Sequence, residues 1–309
     1  MAVRRRKQRR GRSYAWRYRG RIVACVFVEV LIICALVIMV GWNKGVKEWF
    51  EQFEQPVLKE VDISGINSPN AILMHARGGK VLGEINGDEK IYPASMTKIM
   101  TVILGIENFD DLDEKITLTD EMFAGLYEQD ATQAGFQPGE EVRVIDLLYG
   151  AMLPSGAECC IALADTISGS EADFAELMNK KAAKLGMNNT HFCDSTGLHN
   201  PDHYSTVKDI AVLMKYCIKN DTFREIIETA RHSTGVTNIH PDGITYYSTM
   251  FKNLSDPTVT GGKILGGKTG YTSEAGHCLV SFAEIEGREY IFVSAGASGA
   301  DGNTIPHIQ

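Results

Sequence analysis

The pattern Ser95-Met96-Thr97-Lys98 places an amine three positions after a hydroxyl. On a helix, residues i and i+3 lie on the same face, so the two side chains can touch. Apolar residues occupy nearly every side of the helix that follows, which predicts that this helix is buried. Because burial disfavours a charged amine, Lys98 would be neutral and able to accept the proton of Ser95. The pattern predicts a nucleophilic serine, although the same spacing is common in ordinary helices.

Two further motifs carry hydroxyl and amine groups. Pro154-Ser155-Gly156-Ala157-Glu158 is a predicted turn between helical stretches, where Ser155 can relay a proton to a leaving amine. Taken alone, this serine is more simply a helix cap. Gly266-Gly267-Lys268-Thr269-Gly270-Tyr271 comes directly before the closing strands. A lysine and a hydroxyl on an edge strand can bind a carboxylate, and glycine permits close approach of a substrate backbone.

The three motifs, in this order, match the signature of penicillin-binding proteins and class A β-lactamases. From about Asn70 to Ala297 the chain resembles the penicillin-binding D-alanyl-D-alanine carboxypeptidases of serine peptidase type. Further similar stretches are Tyr92-Pro93-Ala94, Leu163-Ala164-Asp165, Lys184-Leu185-Gly186-Met187, Thr190-His191-Phe192, Gly197-Leu198 and Asp209-Ile210-Ala211.

The resemblance implies an enzyme that removes the terminal D-alanine from peptidoglycan stem pentapeptides. It implies that Ser95 forms an acyl-enzyme, that Lys98 accepts the serine proton and that Ser155 relays a proton. β-Lactam antibiotics are then expected as covalent inhibitors. No cofactor and no metal are implied.

The resemblance also implies how the substrate is held. Lys268 and Thr269 would bind the terminal carboxylate, and the backbone N–H groups of Ser95 and Tyr271 would form the oxyanion hole. The predicted substrate-binding residues are Lys268, Thr269, Gly270 and Tyr271.

The chain departs from the family pattern in two places. Where the second motif of the family often reads Ser-x-Asn, this chain has Ala157, so an amide that would hold the substrate carbonyl and Lys98 is missing. The chain ends at Gln309, soon after its last predicted strand, where the family usually adds a helix and often a second β-rich domain.

Strands at both ends and helices between them predict an α+β fold. The opening hairpin has strands at 71–74 and 81–85, and the closing hairpin has strands at 278–283 and 289–294. Helical periodicity is clear at 97–106, 144–167, 171–185 and 207–219. We expect an antiparallel sheet built from both ends of the domain and covered by a helical lobe, like that of β-lactamases and transpeptidases.

The N-terminal residues indicate membrane attachment. Residues 1–21 hold ten Lys or Arg and no acid, which leaves a formal charge of about −18 on the rest of the chain. The apolar stretch at 22–42 is about the 20 residues needed to span a bilayer, which favours a membrane segment over a nucleic-acid-binding arm. Because positive residues stay in the cytoplasm, everything after the span is expected outside the cell.

The predicted organisation therefore has four parts. These are a cytoplasmic arm at 1–21, a single transmembrane anchor at 22–42, a stalk at 43–62 and an extracytoplasmic catalytic domain at 63–309. A cleaved signal peptide is the competing interpretation, but the sequence at 41–44 lacks a small-x-small cleavage site. We expect a single-pass protein of the cell membrane without a nucleic-acid partner.

Two rival sites are disfavoured by their context. The segment 262–269 fits the phosphate-loop pattern G-x-x-x-x-G-K-[ST], but it leads into a strand where that loop requires a helix. A zinc peptidase is suggested by His191, Cys193, Asp194, His199 and His203, but their spacing lacks the H-E-x-x-H helix.

Two more classes of protein fit the three motifs. A β-lactamase-like hydrolase needs an extra glutamate after the second motif to hydrolyse its acyl-enzyme, and residues 168–202 contain no convincing match. A non-catalytic wall-binding protein is suggested by Ala157 and by the short C-terminus. Such a pseudoenzyme would bind D-Ala-D-Ala without turnover.

Overall fold

A computed structural model describes Val30, residues 58–254 and residues 256–299. The chain divides into two compact units, Met1–Leu58 and Lys59–Gln309. Apart from Val30, the predicted basic arm, the predicted membrane anchor and the stalk up to residue 57 lie outside the described residues. In the part of the chain that is described, no helix has the length and apolarity needed to cross a membrane.

The described residues of the second unit form an α+β fold. The strands are β1 (Asn70–His75), β2 (Val81–Ile85), β3 (Lys115–Thr117), β4 (Glu141–Arg143), β5 (Arg231–Ser233), β6 (Thr245–Tyr247), β7 (Thr258–Val259), β8 (Gly262–Thr272), β9 (Gly276–Ile285) and β10 (Arg288–Ala297). The α-helices are α1 (Lys98–Asn108), α2 (Val144–Met152), α3 (Ala157–Ser168), α4 (Glu171–Leu185), α5 (Val207–Cys217), α6 (Asp221–Glu228) and α7 (Thr249–Asn253). Short 3-10 helices lie at Ala94–Thr97 and Asp120–Phe123.

The main sheet is antiparallel, with strand order β2-β1-β10-β9-β8-β7. The opening strand β1 pairs with the closing strand β10, where Ile72 lies opposite Val293. Helix α5 packs on β1, β9 and β10 and covers this part of the sheet. The predicted sheet, built from both ends of the domain, is thereby confirmed.

Helix α1 is the centre of the helical lobe. Its first eight residues, Lys98 to Gly105, are all buried, and the helix contacts α2, α3, α4, α5 and α6. A helix that is apolar all round can bury every face only in such a central position. The predicted burial of this helix is confirmed, although its first turn, Ala94–Thr97, is a 3-10 helix.

The helical stretch predicted at 144–167 is two helices, and the turn predicted at Pro154 lies between them. Helix α2 ends at Met152 and α3 begins at Ala157. Pro154 lacks the N–H that a continuous helix requires, and Ser155 has φ +72°. By contrast, α4 spans 171–185 as predicted, because Ser170 caps its start and Gly186 ends it in the left-handed region.

Substituting Ile103→Ala tests the central position of α1. Ile103 is fully buried, so the change leaves a cavity and should lower the free energy of unfolding by about 2–5 kcal/mol. Urea unfolding followed by circular dichroism measures the difference. In the control Lys184→Ala, the side chain is exposed on α4, and the expected change is below about 0.5 kcal/mol. Equal effects of the two changes would contradict a central α1.

Candidate active site

The first motif forms a serine–lysine pair at the start of α1. Ser95 lies in the 3-10 turn, and Lys98 is the first residue of the helix. The lysine Nζ is 3.0 Å from Oγ of Ser95, and it donates a hydrogen bond of 2.7 Å to the carbonyl of Thr196. Only 3% of Lys98 is exposed. The amine is therefore held between one hydroxyl and one backbone carbonyl.

Burial lowers the pKa of Lys98 below its ordinary value. Negative charge on the neighbouring Cys160 and Asp194 would act in the opposite direction, but burial is the larger effect. Because the neutral amine has a free lone pair, Lys98 can take a proton from the hydroxyl 3.0 Å away.

The second and third motifs form another serine–lysine pair. Nζ of Lys268, on β8, donates hydrogen bonds of 2.9 Å to Oγ of Ser155 and 2.7 Å to the carbonyl of Thr269. Lys268 is 1% exposed. Burial first, and the charge of Lys98 second, lower its pKa well below the ordinary value. Strand β8 also contacts the 3-10 turn that carries Ser95, so the three motifs meet in one site.

The edge of β8 brings the third motif to the Ser95 turn. Strand β7 pairs with β8 only at Gly262 and Lys263, so within the described residues the later part of β8 has one strand neighbour, β9. A Cβ added at Gly270 would lie 2.9 Å from the backbone N of Ser95. The absence of a side chain at Gly270 thus lets the strand edge approach the protein's own serine turn.

The other two predicted binding residues of this strand differ in their surroundings. Oγ1 of Thr269 is 2.8 Å from Oγ1 of Thr249, the first residue of α7. Tyr271 is 59% exposed, and its ring packs against that of His277 at a centroid distance of 4.7 Å. Thr249 was not recognised from the sequence, because it lies 20 positions before Thr269 and belongs to none of the three motifs.

A turn at 194–197 also belongs to the site and was not recognised from the sequence. Its Thr196 carbonyl holds Lys98, and its Ser195 carbonyl accepts a hydrogen bond of 2.6 Å from Oγ1 of Thr101. Oδ1 of Asp194 accepts hydrogen bonds from the backbone N–H groups of Thr196 and Gly197. An aspartate followed closely by Thr-Gly is a turn signal from which such a turn can be predicted.

Ala157 leaves the second motif without a side-chain amide. It is the first residue of α3, it is buried, and its N–H donates to the carbonyl of Thr132 at 2.8 Å. The next side chain, Glu158, accepts hydrogen bonds from the N–H groups of Ala134 and Gly135 and does not replace the amide.

The side chains suggested as zinc ligands contact one another at most in pairs or have partners outside the set. Nδ1 of His191 lies 2.7 Å from the carbonyl of Asp202, whereas His203 contacts Asp194. His199 packs edge-on against Tyr92. In the described part of the chain, no group of three or more His, Cys, Asp or Glu side chains is arranged to hold a metal ion.

Solved structures share this α+β fold. The Streptomyces K15 DD-transpeptidase superposes with a TM-score of 0.70 at 29% identity, over 80% of this chain and 95% of that chain. The fold and the two serine–lysine pairs define a penicillin-binding, transpeptidase-like protein.

The sequence comparisons give the family. The family model described as D-alanyl-D-alanine carboxypeptidase, peptidase family S11, matches residues 57–299. D-alanyl-D-alanine carboxypeptidase DacF of Bacillus subtilis is 36% identical over 231 residues, which are 74% of this chain and 57% of that protein. DacC of Escherichia coli is 35% identical over 262 residues, 77% of this chain and 58% of that protein. The chain belongs to this family, and it spans less than two thirds of these two relatives.

Substituting Gly270→Ala tests the close approach of β8 to Ser95. The new methyl group would lie 2.9 Å from Ser95 N and 3.1 Å from Cβ of Ala94. We expect the free energy of unfolding to fall by about 1–3 kcal/mol, because backbone must move to make room. In the control Gly65→Ala, nothing lies within 4 Å of the new Cβ. Denaturant midpoints compare the two, and a Gly270→Ala protein as stable as the control would contradict the close contact.

Proposed function

We propose that this chain is a serine D-Ala-D-Ala carboxypeptidase that removes the terminal D-alanine from peptidoglycan stem pentapeptides. The observation that carries the proposal is the buried Lys98 amine, 3.0 Å from Oγ of Ser95. A second buried lysine, Lys268, contacts Ser155 in the same site. Membership of the carboxypeptidase family supports the same activity.

Acylation begins at Ser95. Neutral Lys98 accepts the hydroxyl proton while Oγ attacks the carbonyl carbon of the penultimate D-alanine, forming a tetrahedral intermediate. The N–H groups of Ser95 and Tyr271 are the proposed donors to its oxyanion. As the intermediate collapses, the C–N bond breaks, and Ser155 relays the proton held by Lys98 to the departing D-alanine amine, which leaves Lys98 neutral again. The product is an ester on Ser95.

The charge of the substrate carboxylate decides which lysine is protonated. Since burial lowers the pKa of both amines, and a charge on Lys98 lowers that of Lys268 further, the site favours at most one ammonium group. A carboxylate bound by Lys268 and Thr269 stabilises the ammonium form of Lys268. Lys98 then stays neutral and available as the base. Substrate binding and activation of the base are in this way linked through one shared charge.

Water completes the reaction by hydrolysing the ester and freeing Ser95. A β-lactam would acylate the same serine, because its strained amide and its carboxylate resemble the D-Ala-D-Ala end. Among the described residues, no carboxylate hydrogen-bonds to Ser95 or Lys98. A penicilloyl ester on Ser95 should therefore be long-lived, which favours a carboxypeptidase over a β-lactamase.

The location proposed for this activity is the outer face of the cell membrane. Support comes from the basic residues at 1–21 and the apolar stretch at 22–42, which together fit a retained anchor with the catalytic domain outside. There the enzyme would shorten pentapeptide stems and so limit the donors available for cross-linking.

Labelling with a fluorescent penicillin tests the nucleophile. The full chain in detergent should acquire one covalent label, and Ser95→Ala should abolish it because no Oγ remains to form the ester. Ser64→Ala, which changes an exposed serine near the start of the folded unit, is the matched control and should label normally. Release of D-alanine from a D-Ala-D-Ala tripeptide should follow the same pattern. An unlabelled wild type, or a labelled Ser95→Ala protein, would refute the assignment.

The pH dependence of labelling tests the base. Because Lys98 must be neutral, the acylation rate should rise with pH and level off above its pKa, which burial holds below the ordinary value. Below that pKa the rate should fall about tenfold per pH unit. Stopped-flow measurement of acylation between about pH 5 and 10 gives the midpoint. A rate that is flat across this range would contradict Lys98 as the base.

A further inference from the structure

His203 is a buried histidine that belongs to none of the three motifs. It is 2% exposed, and both ring nitrogens have a side-chain partner. Nε2 is 2.9 Å from Oγ1 of Thr97, and Nδ1 is 3.1 Å from Oδ2 of Asp194. The ring of Phe192 packs edge-on against the imidazole. One side chain thereby joins the Ser95 turn to the turn at 194–197.

The carboxylate of Asp194 decides the tautomer that we assign to His203. Burial acts to raise the pKa of Asp194, but hydrogen bonds from His203, Thr196 and Gly197 lower it to about 2. An ionised carboxylate only accepts, so Nδ1 carries the proton. The N–H of Cys193 is also 3.2 Å from Nδ1. An unprotonated Nδ1, however, would direct its lone pair at a lone pair of the Asp194 carboxylate, 3.1 Å away. In a neutral ring, Nε2 then accepts a hydrogen bond from Thr97.

The hydrogen bonds of His203 form a bridge from Thr97 to Asp194, and both ends of this bridge lie next to Lys98, the proposed base. Thr97 is the residue directly before Lys98. Asp194 closes the turn whose Thr196 carbonyl holds Nζ of Lys98 at 2.7 Å. The same turn lies against the residue before Ser95, since a Cβ on Gly197 would be 1.9 Å from the carbonyl of Ala94. Displacement of the turn would move the amine relative to the hydroxyl.

We propose that His203 is a positioning residue for acylation. Its bridge between Thr97 and Asp194 fixes the Thr196 carbonyl, and that carbonyl directs the lone pair of Lys98 toward Ser95. This inference rests on the proposed function, because it gives His203 a role in the chemistry of the Ser95 site. The side-chain hydrogen bonds of His203 go to Thr97 and Asp194 and not to Ser95, so the proposed role is exerted through the geometry of the base.

Removing the bridge should slow acylation without weakening the initial binding of penicillin. For His203→Ala we expect the acylation rate constant to fall about 10- to 100-fold, because small misplacements of reacting groups cost up to about 100-fold. Thr97→Val, which removes only the hydroxyl end, should give a similar loss. The double variant should be little worse than either single one, since both changes break the same bridge.

Two further variants separate positioning from general structural damage. His203→Gln keeps one donor and one acceptor at the end of the side chain and should restore part of the rate. His191→Ala removes an exposed histidine from the same segment and should react like the wild type. Stopped-flow labelling gives the binding and acylation constants for each variant, and thermal unfolding shows that each is folded.

Hydrogen–deuterium exchange supplies a readout that does not depend on activity. The backbone N–H groups of Thr196 and Gly197 should exchange faster in His203→Ala and Thr97→Val than in the wild type. Unchanged exchange, or a folded His203→Ala protein that acylates at the wild-type rate, would overturn the inference. If His203→Ala does not fold, Thr97→Val decides the question. If the wild type itself is not acylated, the proposed function fails, and the exchange data still test the bridge.

Discussion

Two buried lysine amines share one site, and the structure around them must supply hydrogen-bond partners for both. Burial of an amine disfavours its charged form, and a second amine nearby adds to this effect. Lys98 and Lys268 each retain a hydrogen bond to a backbone carbonyl and a contact with a serine hydroxyl. The burial that works against folding also favours the neutral amine, which the proposed role of Lys98 as a base requires. Stability and chemistry are thus opposed at the same two residues.

The sheet and the helical lobe supply the two halves of the site. Helix α1, surrounded by other helices, holds Lys98, and the 3-10 turn before it holds Ser95. Strand β8, paired along its length with β9, holds Lys268. Unusual backbone occurs where the halves meet: Ala94 has φ +46° and Ser155 has φ +72°. For residues other than glycine such conformations cost roughly 1–3 kcal/mol, so the surrounding packing must hold them. Both residues lie beside or within the serine–lysine pairs.

The Ser95 and Lys98 side chains could be paired from the sequence because they are neighbours on one helical turn. The architecture was equally accessible, since strand periodicity at both ends and helical periodicity between them allow few arrangements. The break at Ser155 also follows from local residues, because Pro154 and Gly156 do not favour a continuous helix. Residues 1–57 apart from Val30 lie outside the described structure, so the anchor remains a prediction from charge and hydropathy.

The sequence by itself therefore determined features that depend on short spacing: the longer helices, the opening and closing hairpins and the order of the three motifs. Only the tertiary structure decided which distant groups complete the site. The contacts that complete the site join residues 20 to 106 positions apart in the chain. They are those of Thr196 with Lys98, of Thr249 with Thr269 and of His203 with Thr97. Such contacts follow from the packing of whole elements, which sets distances that no local pattern of residues encodes. The Ser95–Lys98 pair is thus local in origin, but its geometry depends on the turn at 194–197.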